Sequence, residues 1–264
     1  MQLQCLILQL TTRIIPQPVL LGAIRVLPWH ILSTLFIVAT PIGNLKDISE
    51  RALEVLKTVS LIACEDTRTS SKFLQHYGIS THTRSLHQHN EHHKVEQFIR
   101  HLDAGQDLAL ITDAGMPGIS DPGFLAVRAA HISGHTVSVI PGADAVTTAL
   151  ISSGLPSDSF YFHGFLPHKK GRQKQWDFLA NMPCTLVVYE SPHRILKFLT
   201  EATTYLGEDR YVAVCRELTK AFEEIVRGKL SGVVPIFENR AKIKGEICVV
   251  IAPPNYQEEQ TEAL

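Results

Sequence analysis

From residue 35 onward the chain alternates between short unbroken apolar runs and stretches whose apolar residues recur every three or four positions. The unbroken runs at 35–39, 61–64, 108–111 and 137–140 read as strands buried on both faces. The periodic stretches 49–57, 69–76, 95–102 and 124–132 read as helices with a single apolar stripe. Alternation of this kind predicts a mostly parallel sheet covered on both faces. A short helix after Gly142 is closed by Ser153-Gly154-Leu155-Pro156, a breaker that marks a domain junction. A second set follows, with strands at 160–162, 185–189, 212–215, 224–227 and 247–251 and helices at 172–180, 194–205 and 230–238. The pattern predicts an α/β chain of two α/β domains, 35–144 and 145–253.

The ends read differently. Residues 1–34 carry Arg13 and Arg25 but no acidic residue, and Pro16, Pro18 and Pro28 interrupt them. They are expected to be a disordered extension, an Arg-bearing and acid-poor presequence being the alternative. The prolines rule out a continuous spanning helix there, so no membrane partner is expected. Residues 254–264 read as a polar tail.

Composition adds limits rather than identity. Net charge is −1, so nothing global marks a nucleic-acid binder, and any RNA contact must come from local basic patches. The five cysteines are scattered without a C-x-x-C pair, which disfavours zinc ribbons and disulfide frameworks and fits a cytoplasmic location. No G-x-G-x-x-G turn and no Walker lysine loop occurs, so the common dinucleotide and P-loop readings lose their support.

The densest chemistry lies in the loop from Thr112 to Gly123, directly after an apolar strand. Its glycines, prolines and aspartates make a rigid, irregular loop with free backbone N–H groups, where ligands of open α/β sheets bind. Asp113, at the end of a buried strand, must face a cation or a hydrogen-bond donor. Asp121, followed by Pro122, fits a helix N-cap with proline at the first helical position. The same loop also reads as a purely structural turn. His87, His89, His92 and His93 form a histidine-rich run without metal-ligand spacing, so no metal is expected. The basic run at 168–174 is either a phosphate contact or a solvated helix start.

Several ordered segments resemble one family. They are the run from Leu35 to Ile48 containing Thr40-Pro41-Ile42-Gly43-Asn44-Leu45, then Cys64-Glu65-Asp66-Thr67-Arg68, the 113–123 loop, Pro141-Gly142 and Ser153-Gly154-Leu155-Pro156. Further on come Phe162-His163-Gly164-Phe165-Leu166-Pro167, Tyr189-Glu190-Ser191-Pro192-His193-Arg194, Arg216-Glu217-Leu218-Thr219-Lys220 and Lys244-Gly245-Glu246. In this order they resemble the 16S rRNA (cytidine 2′-O)-methyltransferase family of the tetrapyrrole methylase superfamily. Thr112 and Met116 stand where that family usually has serine and threonine, and Phe222 where it has histidine.

The resemblance implies an S-adenosylmethionine-dependent enzyme acting on 16S ribosomal RNA of the small ribosomal subunit, as a homodimer, with the donor in the interdomain cleft. It implies donor contacts from Pro41, Asp113, Ala114, Gly115, Ile119, Ala145, Tyr189, Glu190, Thr219 and Gly245. A ribose 2′-hydroxyl is a poor nucleophile, so a base or a cation beside it would help. Glu65, Asp66, Arg68, Arg216, Glu217, Lys220 and Glu224 are the candidates, each of which also reads as half of a structural ion pair. Two other functions compete: a tetrapyrrole methylase, and a ribosome-associated module that binds S-adenosylmethionine or RNA without turnover.

Overall fold

The computed structural model describes residues 32–86 and 91–258. The expectations for 1–31, for the side chains of His87, His89, His92 and His93, and for 259–264 lie outside the described residues.

The first sheet has the order β3-β2-β4-β1-β5, every pair parallel. Its strands are β1 (Thr34–Val38), β2 (Leu61–Cys64), β3 (Thr83–Ser85), β4 (Leu108–Ile111) and β5 (Thr136–Ile140). Its helices are α1 (Glu50–Thr58), α2 (Thr67–His76), α3 (Glu91–Asp103) and α4 (Phe124–Ile132). The unbroken apolar runs have a direct cause: alternate residues of each strand serve opposite cores. Leu35, Ile37, Leu61, Ala63, Leu108 and Leu110 pack on Phe98, Leu102, Ala126 and Ala130 of α3 and α4. Val38, Ile62, Cys64, Ala109 and Ile111 pack on Ala52, Leu56 and Leu74 of α1 and α2.

The second sheet runs β6-β7-β10-β8-β9, from β6 (Phe160–Phe165), β7 (Thr185–Glu190), β8 (Tyr211–Arg216), β9 (Glu224–Lys229) and β10 (Ile247–Ile251). Helices α6 (Arg172–Ala180), α7 (Ile195–Leu206) and α8 (Leu230–Glu238) cover one face. The other face meets α5 (Ala145–Ser152) through Val146, Ala149 and Leu150, joined by Ile42 from the loop after β1. Only β6 and β7 pair in parallel here; the other three pairs are antiparallel. The final strand, β10, inserts between β7 and β8, a placement that strand–helix alternation does not encode.

Smaller differences from the sequence reading have local causes. Ser33 and Thr34, assigned to the extension, belong to the packed fold: Thr34 pairs with Thr136 in the sheet, and buried Ser33 donates from Oγ to Leu102 O of α3 at 2.7 Å. Strand β3 has no apolar run because it is a three-residue edge with no buried residue. Part of the expected tail packs, since Tyr256 stacks edge-on against Tyr211 at 5.4 Å.

Candidate functional site

The site begins where the parallel strands end. Beyond β1, Thr40 and Gly115 exchange backbone hydrogen bonds of 2.9 and 3.0 Å, which ties the first loop to the loop after β4. Thr40 Oγ1 donates to Thr112 O at 3.1 Å beneath them, with both threonines buried. The loop then turns through left-handed residues: Gly115 (φ 80°), Gly118 (φ 85°) and Ser120 (φ 64°). A non-glycine residue in that region is held at a cost of about 1–2 kcal/mol, and such strain concentrates at functional sites. Gly123 (φ 138°) holds a backbone conformation that residues with a Cβ rarely adopt, and a Cβ there would press on Leu110 Cδ2 at 2.9 Å.

Helix α4 starts at Phe124 with Gly123 as its N-cap and no capping side chain. The expected cap role of Asp121 is therefore corrected. Two residues separate it from the helix, and it lines a cleft of about 500 Å³ instead.

Glu65, Asp113–Met116 and Ile119–Asp121 form one wall of that cleft, with Ile42, Asp144 and Ala145 beside them. Phe165, Tyr189–Pro192, Cys215, Leu218 and Glu246–Cys248, from the second sheet and its loops, form the other. Volume and mixed lining are those of a small-molecule site.

Charge is distributed unevenly around the cleft. Burial raises the pKa of Asp121 to about 6, and repulsion from Glu65 and Asp113 adds to it. Asp113 is raised chiefly by burial, although its Oδ1 accepts the Asp66 N–H at 3.3 Å. Across the cleft Tyr189 is raised by burial first, with Cys248, Asp144 and Asp121 contributing. Glu190, whose side chain is wholly buried, is paired with Arg194 at 2.7 Å and faces Arg172 at 3.8 Å. Its Oε2 has no hydrogen-bond partner.

The residues singled out in the sequence fall into two groups. Glu65, Asp113, Ala114, Gly115, Ile119, Ala145, Tyr189 and Glu190 line the cleft. Asp66, Arg68, Arg216, Glu217, Lys220, Glu224, Pro41, Thr219 and Gly245 do not. Asp66 binds Arg68 at 2.8 Å and is lowered to about 2, first by the hydrogen bond from the Arg68 side chain. Glu224 is held at about 2, mainly by Arg240, which donates to it at 2.6 and 2.8 Å, and also by Arg216. Lys220 joins Glu217 and Glu246, each at 2.8 Å.

Thr219 (φ 65°) and Glu217 (φ 53°) are themselves left-handed, and Thr219 Oγ1 is buried without a partner. Gly43 lies against this turn: a Cβ there would meet Thr219 Oγ1 at 2.8 Å. Pro41 instead lines a small cavity of about 80 Å³ behind the Thr40–Gly115 bridge.

A profile described as Tetrapyrrole (Corrin/Porphyrin) Methylases matches residues 34–234. The chain belongs to this family. Curated relatives named Ribosomal RNA small subunit methyltransferase I place it more finely. The protein from Synechocystis sp. is 47% identical over 232 residues, covering 85% of this chain and 83% of that one. Its counterpart from Escherichia coli O157:H7 is also 47% identical, over 87% of this chain and 81% of that one. One from Pseudomonas aeruginosa is 50% identical over 193 residues, 73% of this chain and 68% of that one.

Family membership agrees with the architecture. A crystal structure of diphthine synthase superposes with TM-score 0.66 at 14% identity, covering 83% of this chain and 90% of that one. Uroporphyrin-III C-methyl transferase from Thermus thermophilus, solved with S-adenyl homocysteine, superposes with TM-score 0.57 at 16% identity, over 83% and 97%. At those identities the likeness is one of fold.

Among the cleft residues outside the candidate set, Asp121 and Phe165 matter most to the chemistry. Asp121 was masked by its Asp-Pro-Gly context, which imitates a helix start. Phe165 lay past the end expected for its strand; Gly164 before it, a glycine inside an aromatic strand, was the available signal.

Proposed function

We propose that this protein transfers a methyl group from S-adenosylmethionine to the 2′-hydroxyl of a cytidine in 16S ribosomal RNA, acting on the small ribosomal subunit in the cytoplasm as a homodimer. The observation that carries the reading is the 47% identity to small-subunit rRNA methyltransferases over 85% of the chain. Among the described residues no helix is long and apolar enough to cross a membrane.

The cleft suits the donor. S-Adenosylmethionine supplies an electrophilic methyl group on a positively charged sulfur. Asp113 and Asp121 form no ion pair among the described residues, so the first wall offers negative charge to a cation. Ile42, Ile119 and Leu218 offer apolar surface to an adenine. In this reading residues 35–144 and 145–253 act as two domains. Asp113, Ala114, Gly115, Ile119, Ala145, Tyr189 and Glu190 hold the donor, and Pro41, Thr219 and Gly245 hold the loops around it.

The hydroxyl must lose its proton as the new C–O bond forms. Of the candidate acids and bases, Asp66, Glu217 and Glu224 are committed to cations. Asp121 is the better acceptor: it faces the cleft, and its pKa of about 6 leaves it ionised yet still basic at neutral pH. The rest of the catalysis is positioning of two reactants in one cleft.

Small subunits lacking the modification, incubated with the protein and labelled donor, should acquire one methyl group. It should protect the adjacent phosphodiester from alkaline cleavage, since a 2′-O-methyl group cannot attack it. Label entering only a tetrapyrrole would assign the chain to small-molecule methylation. Donor binding without transfer to either would leave a non-catalytic module.

A further inference from the structure

Strand β6 is an edge strand, and its pairing with β7 slips between Phe162 and Gly164, so that His163 is an extra residue. Bulges at sheet edges re-aim side chains, often beside active sites. Here the bulge has a visible result. Phe162 and Phe165, three apart and so on opposite faces of a regular strand, both lie against Tyr189, at 5.0 and 5.6 Å between ring centroids. Gly164 (φ 73°) makes the turn, and a Cβ on it would come within 3.1 Å of Ser120 Oγ on the opposite wall.

Phe165 thus lines the cleft while 56% of it stays exposed. The next residues are held firmly: Arg194 donates to Leu166 O at 3.2 Å and Arg172 to Pro167 O at 3.0 Å. Arg172 is buried, so it is not a phosphate contact, which corrects part of the reading of the basic run. His168, Lys169 and Lys170 are exposed beyond it and take part in no ion pair among the described residues.

We propose that Phe165 and the Lys169–Lys170 turn form a shelf for single-stranded RNA at the mouth of the cleft. Phe165 stacks on the base of the target nucleotide, and the lysines neutralise phosphates beside it. The inference rests on the reading that the substrate is ribosomal RNA. A cleft of about 500 Å³ that also holds the donor admits a nucleotide only when its base is splayed out of a helix. A splayed base leaves a π-face to be covered, and an exposed aromatic ring followed four and five residues later by exposed lysines supplies the two chemistries that bind it.

The test uses the full chain and small subunits lacking the modification, with subunit binding, donor binding and methyl transfer measured separately. Phe165→Ala should raise both the subunit dissociation constant and KM by about tenfold or more, leaving donor affinity and the melting temperature unchanged. Phe165→Trp should restore binding. Replacing Lys169 and Lys170 together by alanine should weaken binding and flatten its salt dependence by about two units of slope. The shelf is overturned if Phe165→Ala weakens the donor instead, dissociates an oligomer, or leaves subunit affinity unchanged. Wild-type protein that binds subunits through Phe165 but transfers no methyl group would sink the proposed function and leave the shelf standing. Absence of subunit binding by the wild type would overturn both.

Discussion

The two walls of the cleft handle charge in opposite ways. On the first, Asp113 and Asp121 line the cavity and form no ion pair among the described residues, and both are raised above the usual carboxylate range. On the second, Glu190 is clamped between Arg172 and Arg194. Glu217 and Glu224, which do not line the cavity, are likewise engaged by lysine and arginine. A charge already paired inside the fold has little left to offer a ligand. The first wall thus carries unpaired negative charge, whereas the second carries paired charge and an aromatic surface.

Breaking the clamp on the second wall should have the largest effect. Glu190→Ala leaves Arg194, 17% exposed, without its carboxylate, whereas Arg172 keeps Glu201 at 2.7 Å. Removing one partner of a buried pair costs about 3–5 kcal/mol, and denaturant unfolding would measure it. A loss under about 1 kcal/mol would mean that Arg194 finds another partner.

On the first wall, Asp121→Asn should separate activity from stability. Methyl transfer should fall by about a hundredfold or more, the usual contribution of a general base. Wild-type activity should rise with pH through about 6, as Asp121 ionises. Stability should move the other way. A raised carboxyl binds its proton more tightly when folded, so its contribution is present below about 4 and lost as pH climbs through about 6. Discounted for partial exposure, the asparagine variant should be about 1 kcal/mol more stable at pH 8 and equal to wild type near pH 4. Thermal melts at both pH values check this. A variant less stable at pH 8 would restore the helix-cap reading.

Asp113→Asn should weaken donor binding by about fivefold to tenfold with little change in melting temperature, as calorimetric titration would register. The smallest effect belongs to Glu224. Its depressed pKa makes it a stabilising group above about 4.5 whose contribution disappears as pH falls through about 2. The side chain is one-third exposed, so Glu224→Gln should cost about 1 kcal/mol at pH 7 and nothing at pH 2 in an unfolding series.

Much of the fold was legible because burial leaves a period in the sequence. The runs at 61–64, 108–111 and 247–251 are strands with those bounds, since residues buried on both faces must all be apolar. Helix α4 was found at 124–132 from its stripe alone. Of the site, the loop after β4 was legible because glycine and proline in that density answer a backbone need, which the left-handed residues Gly115, Gly118 and Gly123 display.

The sequence by itself determined most of the strand–helix order and the family, because hydrophobic period and motif order are properties of the chain read along its length. Tertiary structure alone decided that β10 would lie antiparallel between β7 and β8, because strand neighbours are chosen by packing across the sheet and not by adjacency in sequence. It decided which carboxylates are engaged. Asp66, Glu217 and Glu224 looked no different from Asp121 in one dimension, yet only they meet cations in three. It also turned Asp121 from a helix cap into a cleft residue, because helix α4 takes Gly123, two residues further on, as its N-cap. The underlying reason is one of range: periodicity reports local burial, whereas ion pairing, pKa and cleft shape depend on residues that the chain brings together from tens of positions apart.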